Sequence, residues 1–144
     1  MTVEELRAVG LLESGKASCA VITAGGFLES AGGKGVAPLL GFYENNPQSL
    51  KGAFVADKII GRAASVILVL GGVKKAYGEI MSEAAFCYLK QNGVCAEYKT
   101  KISRILNRSG NGICPLEESV LDEPDADKAL KKLKDRIQSL KAQR

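Results

Sequence analysis

The stretch AFVADKIIGRAASVILVLGG, residues 53–72, decides the fold of this chain. Its polar side chains are confined to a narrow stripe, formed by Asp57, Lys58, Arg62 and Ser65 with Gly61 between them. Asp57, Gly61 and Ser65 recur at every fourth position, and nearly all other residues are Val, Ile, Leu or Ala. This spacing predicts a central, buried helix with one polar ridge. The ridge must meet protein partners or a ligand, because buried polar groups require hydrogen bonds.

A second interpretation of the same stretch remains open. The run 65–70 is rich in β-branched residues and could form a strand, with 71–72 as the hairpin turn into a strand over 74–80. A polar spacing of four residues favours the helix, since side chains on a strand alternate with a period of two. Gly71 also suits the position just beyond a helix C-terminus.

Length and charge limit the classes of protein that fit. The chain has 144 residues, enough for one domain with a real core, and a formal net charge of +4. Its basic residues are not gathered on one face with aromatic residues between them, so we expect no nucleic-acid partner. The longest apolar run, 63–70, is far shorter than the roughly 20 residues that cross a bilayer, and no leader segment is recognisable. We therefore expect a cytoplasmic protein without a membrane partner.

The absence of histidine restricts the chemistry. It removes the commonest general base and metal ligand, together with every nucleophile pair that histidine activates. The four cysteines are far apart and form no C-x-x-C pair, so we expect no metal site and no cofactor. Disulfides are not expected in a reducing compartment. Carboxylates, lysines, hydroxyls and thiols remain for any reaction.

Helices and strands alternate along the rest of the chain. Capping residues and apolar spacing predict further helices over 2–13, 36–44, 83–89, 115–120 and from 125 onwards. β-rich runs predict strands over 17–23, 27–30, 74–81 and 94–99, with 102–106 as a further candidate. The first two strands should form a hairpin around Gly25 and Gly26. This order predicts an α/β fold, with a mixed sheet between two helical layers.

The C-terminal segment is amphipathic. Its apolar residues fall on one stripe of a helix, formed by Ala126, Ala129, Leu130, Leu133, Ile137 and Leu140. We predict that residues 1–121 form a single domain and that 122–144 form a helix, which adds stability to the domain without creating it.

Three motifs carry a resemblance to a known family: VADKIIGRAA at 55–64, GGV at 71–73 with the following Tyr77 and Ser82-Glu83, and NRSGNGICPLE at 107–117. Over about residues 15–120 the chain resembles the domain of unknown function 1893, a small family of uncharacterised bacterial proteins. The resemblance implies a cytidine deaminase-like fold, a three-layer α/β/α arrangement in which two helix N-termini meet over one sheet edge. The family offers no established activity.

The resemblance also implies that the zinc site of the deaminases is missing. Val55 stands where a histidine ligand is expected, and Asp57 replaces the glutamate that shuttles protons. In the second motif, which should contain two cysteine ligands, only Cys87 remains. The resemblance therefore implies that the protein is not a zinc-dependent deaminase, and whether it is an enzyme at all stays open.

Two functions follow from these patterns. In the first, the resemblance places Asp57 and Glu83 at neighbouring helix N-termini, as candidates for catalysis. A nucleotide or nucleoside-like molecule would bind there, with the ligand-binding residues Asp57, Lys58, Arg62, Ser82, Glu83, Asn107 and Arg108. A carboxylate at residue 57 could also act as a nucleophile towards an electrophilic nucleotide. In simpler interpretations Asp57 caps a helix, residues 107–108 form an ordinary turn, and Cys114 serves packing.

In the second possible function, the domain is a structural or interaction module without catalysis. Its working surface would be the face of a homo-oligomer or the C-terminal helix, and the polar residues named above would only close the fold.

Overall fold

The computed structural model describes residues 1–143, which form one five-stranded sheet with helices on both faces. The strands are β1 Cys19–Ile22, β2 Leu28–Ala31, β3 Phe54–Ile60, β4 Lys75–Ser82 and β5 Cys95–Ile102. The helices are α1 Val3–Glu13, α2 Ala37–Asn45, α3 Arg62–Leu70, α4 Glu83–Gln91, α5 Pro115–Val120 and α6 Ala126–Ala142, with a short 3₁₀ turn at Pro47–Ser49. The strand order is β2-β1-β3-β4-β5. The first three strands pair antiparallel and the last three parallel, so the predicted mixed α/β sheet is confirmed.

The prediction of one helix over 53–72 is wrong in its first half. That half is β3, which ends at Ile60, and Gly61 in an extended conformation separates it from α3. Both faces of β3 are covered over most of its length, so its sequence shows no alternation between apolar and polar residues. The polar positions that recur every fourth residue are divided between β3 and α3, so they do not lie on one face of a single helix. A buried helix is confirmed only over α3, where residues 63–68 are buried.

The alternative strand over 65–70 is wrong as well, because these residues belong to α3. Gly71 caps the end of that helix, and the left-handed conformation falls on Gly72 with a φ of 74°. The strand candidate over 102–106 is also wrong beyond Ile102. Leu106 makes only an isolated bridge to Ile113.

The other elements are confirmed to within a few residues. Thr2 and Glu5 form the predicted capping box of α1, Ser82 caps α4, and Asp125 caps α6. The predicted hairpin is β1 with β2, around a turn that contains Gly26. These features depend on residues close together in the chain, which explains why they can be predicted locally.

The sheet separates two clusters of buried apolar side chains. On one face, α1 packs against β1 and β3, where Ala8, Val9 and Leu12 meet Ala20, Ile22, Phe54 and Ala56, together with Tyr77 of β4. On the other face, α2 to α6 contribute to a larger core together with Cys19, Val21, Val55 and Ala76. The helices on both faces give the three layers that the sequence predicts.

Helix α6 belongs to the larger core. Leu133 is fully buried, Ala129 and Leu130 are buried beside it, and the helix packs against α3 and α5. Ala126 and Ile137 are partly buried against the same cluster. Five of the six residues of the predicted apolar stripe, all except Leu140, therefore pack towards the domain. Within residues 1–143, no helix is both long and apolar enough to cross a membrane.

Candidate functional site

Asp57 lies in the interior of the sheet and not at a helix start. It is in register with Cys19 of β1 and Gly78 of β4, and only 4% of its surface is exposed. Strand alternation places its side chain on the same face as Val55, towards the larger core. The interpretation of Asp57 as a helix cap is wrong, because the N-cap of α3 is Gly61. Other interactions in the fold must therefore offset the free-energy cost of burying this carboxyl group.

Burial changes the protonation of Asp57. Desolvation raises the pKa of its carboxyl group to about 8, although the backbone N–H groups of Lys58 and Ile59 act in the opposite direction. In the neighbouring strand, burial and the Asp57 charge raise the pKa of the Cys19 thiol. At pH 7 the Asp57 carboxyl is therefore mainly neutral, and it offers one hydrogen-bond donor beside an acceptor.

The raised pKa predicts a specific pH dependence of stability. The folded state retains a proton on Asp57 that the unfolded chain loses near its ordinary pKa of 3.8. The free energy of unfolding should therefore fall as pH rises from about 4 to about 8, by up to about 1.4 kcal/mol per pH unit. Asp57→Asn keeps the size and removes the charge, so this variant should lose that slope and be more stable than wild type at pH 8. Urea titrations at several pH values measure both effects.

The exposed Asp122 supplies the control for this measurement. Asp122→Asn removes the same charge from the surface and should leave the slope unchanged. If the free energy of unfolding changes with pH in the same way for wild type and Asp57→Asn, the predicted pH dependence does not come from Asp57.

The second predicted carboxylate, Glu83, lies in a different environment. Ser82 caps α4, because its hydroxyl oxygen accepts a hydrogen bond from the backbone N–H of Ala85 at 3.1 Å. Glu83 is exposed and pairs with Lys101 at 3.0 Å, and this contact, with the Cys87 thiol, lowers the pKa of the Glu83 carboxyl. The two carboxyl groups therefore lie in different environments, since Asp57 is buried in the sheet and Glu83 is exposed and paired with a lysine.

The amino terminus of α3 is occupied by a side chain that the sequence alone does not single out. The carboxylate of Glu117, on α5, accepts hydrogen bonds from the backbone N–H groups of Arg62 at 2.7 Å and Ala63 at 2.8 Å. Burial raises the pKa of Glu117, while these two N–H groups and the Arg62 guanidinium lower it. Only the absence of a side-chain cap at Gly61 could have suggested a distant partner, and no spacing in the sequence points to Glu117.

The Arg62 side chain is held by the chain itself. Its guanidinium lies 4.2 Å from the centre of the Tyr88 ring and donates to the backbone oxygen of Glu123 at 3.0 Å. A longer contact of 3.5 Å reaches the backbone oxygen of Leu121. These contacts connect α3 to the segment that leads into α6, while the buried Nε of Arg62 has no hydrogen-bond partner within residues 1–143.

The other predicted binding residues do not gather around Asp57. Lys58 follows it on the strand, so its side chain points to the opposite face of the sheet. The Asn107 amide exchanges hydrogen bonds with Asn111 inside its own turn. Arg108 is exposed, and Cys114 is half-buried at the N-cap of α5. In the described part of the chain, no hydrogen bond connects the 107–112 turn with Asp57, Ser82 or Glu83.

The N-termini of α3 and α4 lie at the same edge of the sheet, namely the edge formed by the C-terminal ends of β3 and β4. β3 and β4 are adjacent and parallel, and each helix follows its strand within two residues. Two surface cavities, of about 400 and about 390 Å³, lie elsewhere, at the opposite end of β3 and between β2 and α2. Among residues 1–143, no three Asp, Glu or Cys side chains are placed to hold a metal ion.

Comparison with solved structures identifies a close fold relative. The crystal structure of a DUF1893 family protein (TM1506) from Thermotoga maritima matches with a TM-score of 0.82 and 22% sequence identity. The match covers 94% of this chain and 92% of that protein, and at this identity it shows the shared fold alone. No curated protein matches the chain.

The family model of the domain of unknown function DUF1893 (TM1506) matches residues 7–137, which span nearly all of the sheet and the helices around it. This chain therefore belongs to the DUF1893 family.

Proposed function

We propose that this domain binds a nucleotide or nucleoside-like small molecule at the sheet edge where β3 and β4 end, with Asp57 as the main recognition group. The observation that carries the proposal is the burial of Asp57, which forms no salt bridge among residues 1–143 and is contacted by the backbone N–H groups of Lys58 and Ile59. Desolvating a carboxyl group costs stability, and the protein gains nothing in return from an ion pair. Residues retained at such a cost are candidates for a functional site.

The protonation state of Asp57 points to the class of ligand. A neutral carboxyl group presents a donor and an acceptor side by side. The amino group and adjacent ring nitrogen of adenine or cytosine present the complementary pair, and ribose hydroxyls can also satisfy both positions. Because the group is buried, a ligand without these polar atoms would add no hydrogen bond to those from the backbone N–H groups of Lys58 and Ile59, and it would bind much more weakly.

The scaffold supports the same location. We propose that the fold is of the cytidine deaminase-like type, since a helix and a hairpin precede two helices that start at one edge of the sheet. Zinc-dependent deamination is not part of this proposal. Val55 and Asp57 lie within β3 and not at a helix start, so they do not occupy the positions of the deaminase histidine and glutamate, and the chain contains no histidine to bind the zinc that generates hydroxide at neutral pH.

Access to Asp57 must involve a local movement, because only 4% of the residue is exposed. Side chains over the carboxyl group would have to shift before a ligand could reach it. This requirement predicts slow association compared with an open cleft.

The test compares ligand binding by wild type, Asp57→Leu and Asp57→Asn. A panel of bases, nucleosides and nucleotides is screened by thermal shift, and affinities for the best compound are measured by calorimetry. Leucine fills a similar volume without polar atoms, so Asp57→Leu should weaken binding by about 10- to 100-fold, equivalent to about 1.4–2.7 kcal/mol. Asparagine also offers a donor and an acceptor, so Asp57→Asn should retain much of the affinity.

The pH dependence gives an independent criterion. Wild-type affinity should decrease above about pH 8, where the carboxyl group loses its donor, whereas the affinity of Asp57→Asn should stay constant. Asp122→Asn serves as the surface control. Equal affinities for wild type and Asp57→Leu, or no response to any compound of the panel, would count against this function and favour the interaction module.

A further inference from the structure

We infer that Glu117 is an internal anion that closes the amino terminus of α3 to the phosphate or carboxylate of a ligand. The free N–H groups at the start of a helix form a natural anion site, and here α3 starts at the edge proposed for ligand binding. Both oxygens of the Glu117 carboxylate are used, one by Arg62 and one by Ala63. The position that an anion would take is therefore already filled.

The fit around this carboxylate leaves no space for a second anion. Glu117 is 6% exposed, and a methyl group added at Gly61 would overlap its carboxylate and the end of the Ile105 side chain. An incoming phosphate would have to expel Glu117 before it could reach the N–H groups. Because Glu117 is part of the same chain, its local concentration is high and displacement is unfavourable.

The neighbouring contacts hold Glu117 in place. Arg62 carries one of the two N–H groups, and its guanidinium binds the backbone oxygen of Glu123, just after the helix that bears Glu117. Tyr88 covers the guanidinium and donates to the backbone oxygen of Pro124. Moving Glu117 away would disturb these contacts, so the carboxylate is a fixed part of the edge and not a loose side chain.

This arrangement limits how a ligand can be oriented, a conclusion that rests on the proposed function. The start of α4 offers no alternative, because the Ser82 hydroxyl already accepts from the N–H of Ala85 and Glu83 adds a negative charge. A ligand at Asp57 should therefore present its base or sugar to the end of β3. Any phosphate that it carries should point away from α3.

The experiment uses Glu117→Ala, with inorganic phosphate and acetate as probes. Removing the side chain beyond Cβ leaves two unpaired N–H groups and a space of carboxylate size. The variant should be destabilised in chloride buffer and should regain stability with either probe, with a melting temperature raised by about 5 °C at tenfold excess over Kd. Wild type should not respond in ionic-strength-matched buffers.

Two further variants distinguish the effect of the empty space from the effect of the lost negative charge. Glu118→Ala removes the same charge from an exposed position of the same helix and should behave as wild type. Glu117→Gln fills the space without the charge, so it should be destabilised but not rescued by anions. Stabilisation of wild type by phosphate to the same extent as Glu117→Ala would overturn the inference, as would a Glu117→Ala protein that neither anion stabilises.

The orientation of the ligand is tested separately, by comparing the affinities of a nucleoside and its 5′-monophosphate. For the best nucleoside of the panel, wild type should bind the 5′-monophosphate within about threefold of the nucleoside itself. A monophosphate that binds more than about tenfold more tightly would contradict the closed α3 terminus. The anion assay needs no nucleotide, so the expected anion pattern without any nucleoside binding would refute the proposed function alone.

Discussion

Gly61→Ala is expected to lower the free energy of unfolding by about 3–5 kcal/mol. The added methyl group would overlap the carboxylate of Glu117 and the Ile105 side chain. Expelling the carboxylate would leave the N–H groups of Arg62 and Ala63 unpaired in a buried environment. The backbone of Gly61 is extended, with φ −103° and ψ −174°, a conformation that alanine adopts freely. The whole effect should therefore come from lost space and not from backbone strain. Urea unfolding of the two proteins at one pH gives the difference.

Gly10 and Gly41 provide matched controls within helices. No atom lies within 4 Å of a methyl group added at either position, and neither has a left-handed backbone. Alanine there should increase stability by about 0.5–1 kcal/mol, because glycine is entropically unfavourable in a helix. A Gly61→Ala protein as stable as these two variants would show that Glu117 moves aside without cost.

Ending the chain after Glu123 is expected to reduce the free energy of unfolding by about 5 kcal/mol. The truncation removes Leu130 and Leu133 from the larger core, each with about 2 kcal/mol of burial, and also Ala129. It also removes the carbonyl of Pro124 that accepts from the Tyr88 hydroxyl. Domains of this size have about 5–15 kcal/mol in total, so the loss is a large fraction of the stability. We still expect residues 1–123 to fold, because they contain every strand of the sheet.

Single substitutions in α6 test the same contact without removing the helix. Leu133→Ala should cost about 2–5 kcal/mol, because it leaves a cavity in a fully buried position. Lys134→Ala changes the next, exposed residue and should alter stability by less than about 0.5 kcal/mol. Loss of cooperative unfolding in the truncated chain would show that residues 1–121 are not a domain on their own.

The sequence predicts much of this fold because many elements are determined locally. The capping box of Thr2 and Glu5 and the cap at Ser82 depend only on residues within one helical turn. The junction at Gly61 is different. β3 is buried between layers that lie far away in the sequence, and this burial removes the alternation by which a strand is recognised. Periodicity alone cannot separate such a strand from a buried helix.

The candidate site could be predicted in part. Asp57 stands out as a charged residue in an apolar stretch, which is why the sequence alone singles it out. Its neighbours on β1 and β4 are set by strand pairing, which no local pattern reveals. Glu117 could not be predicted for the same reason, since its partners precede it by 55 and 54 residues. The sequence predicts a ligand contact for Arg62, whereas its actual contacts are with Tyr88 and two backbone carbonyls.

The distance in sequence between Glu117 and α3 has a consequence for the order of assembly during synthesis. The chain is made from its amino terminus, so β3 and α3 emerge well before Glu117 is available. Until α5 emerges, the N–H groups of Arg62 and Ala63 lack the carboxylate that accepts from them in the finished fold. The growing chain therefore passes through a stage in which the start of α3 is uncapped, and the cap forms only when the segment that carries Glu117 arrives.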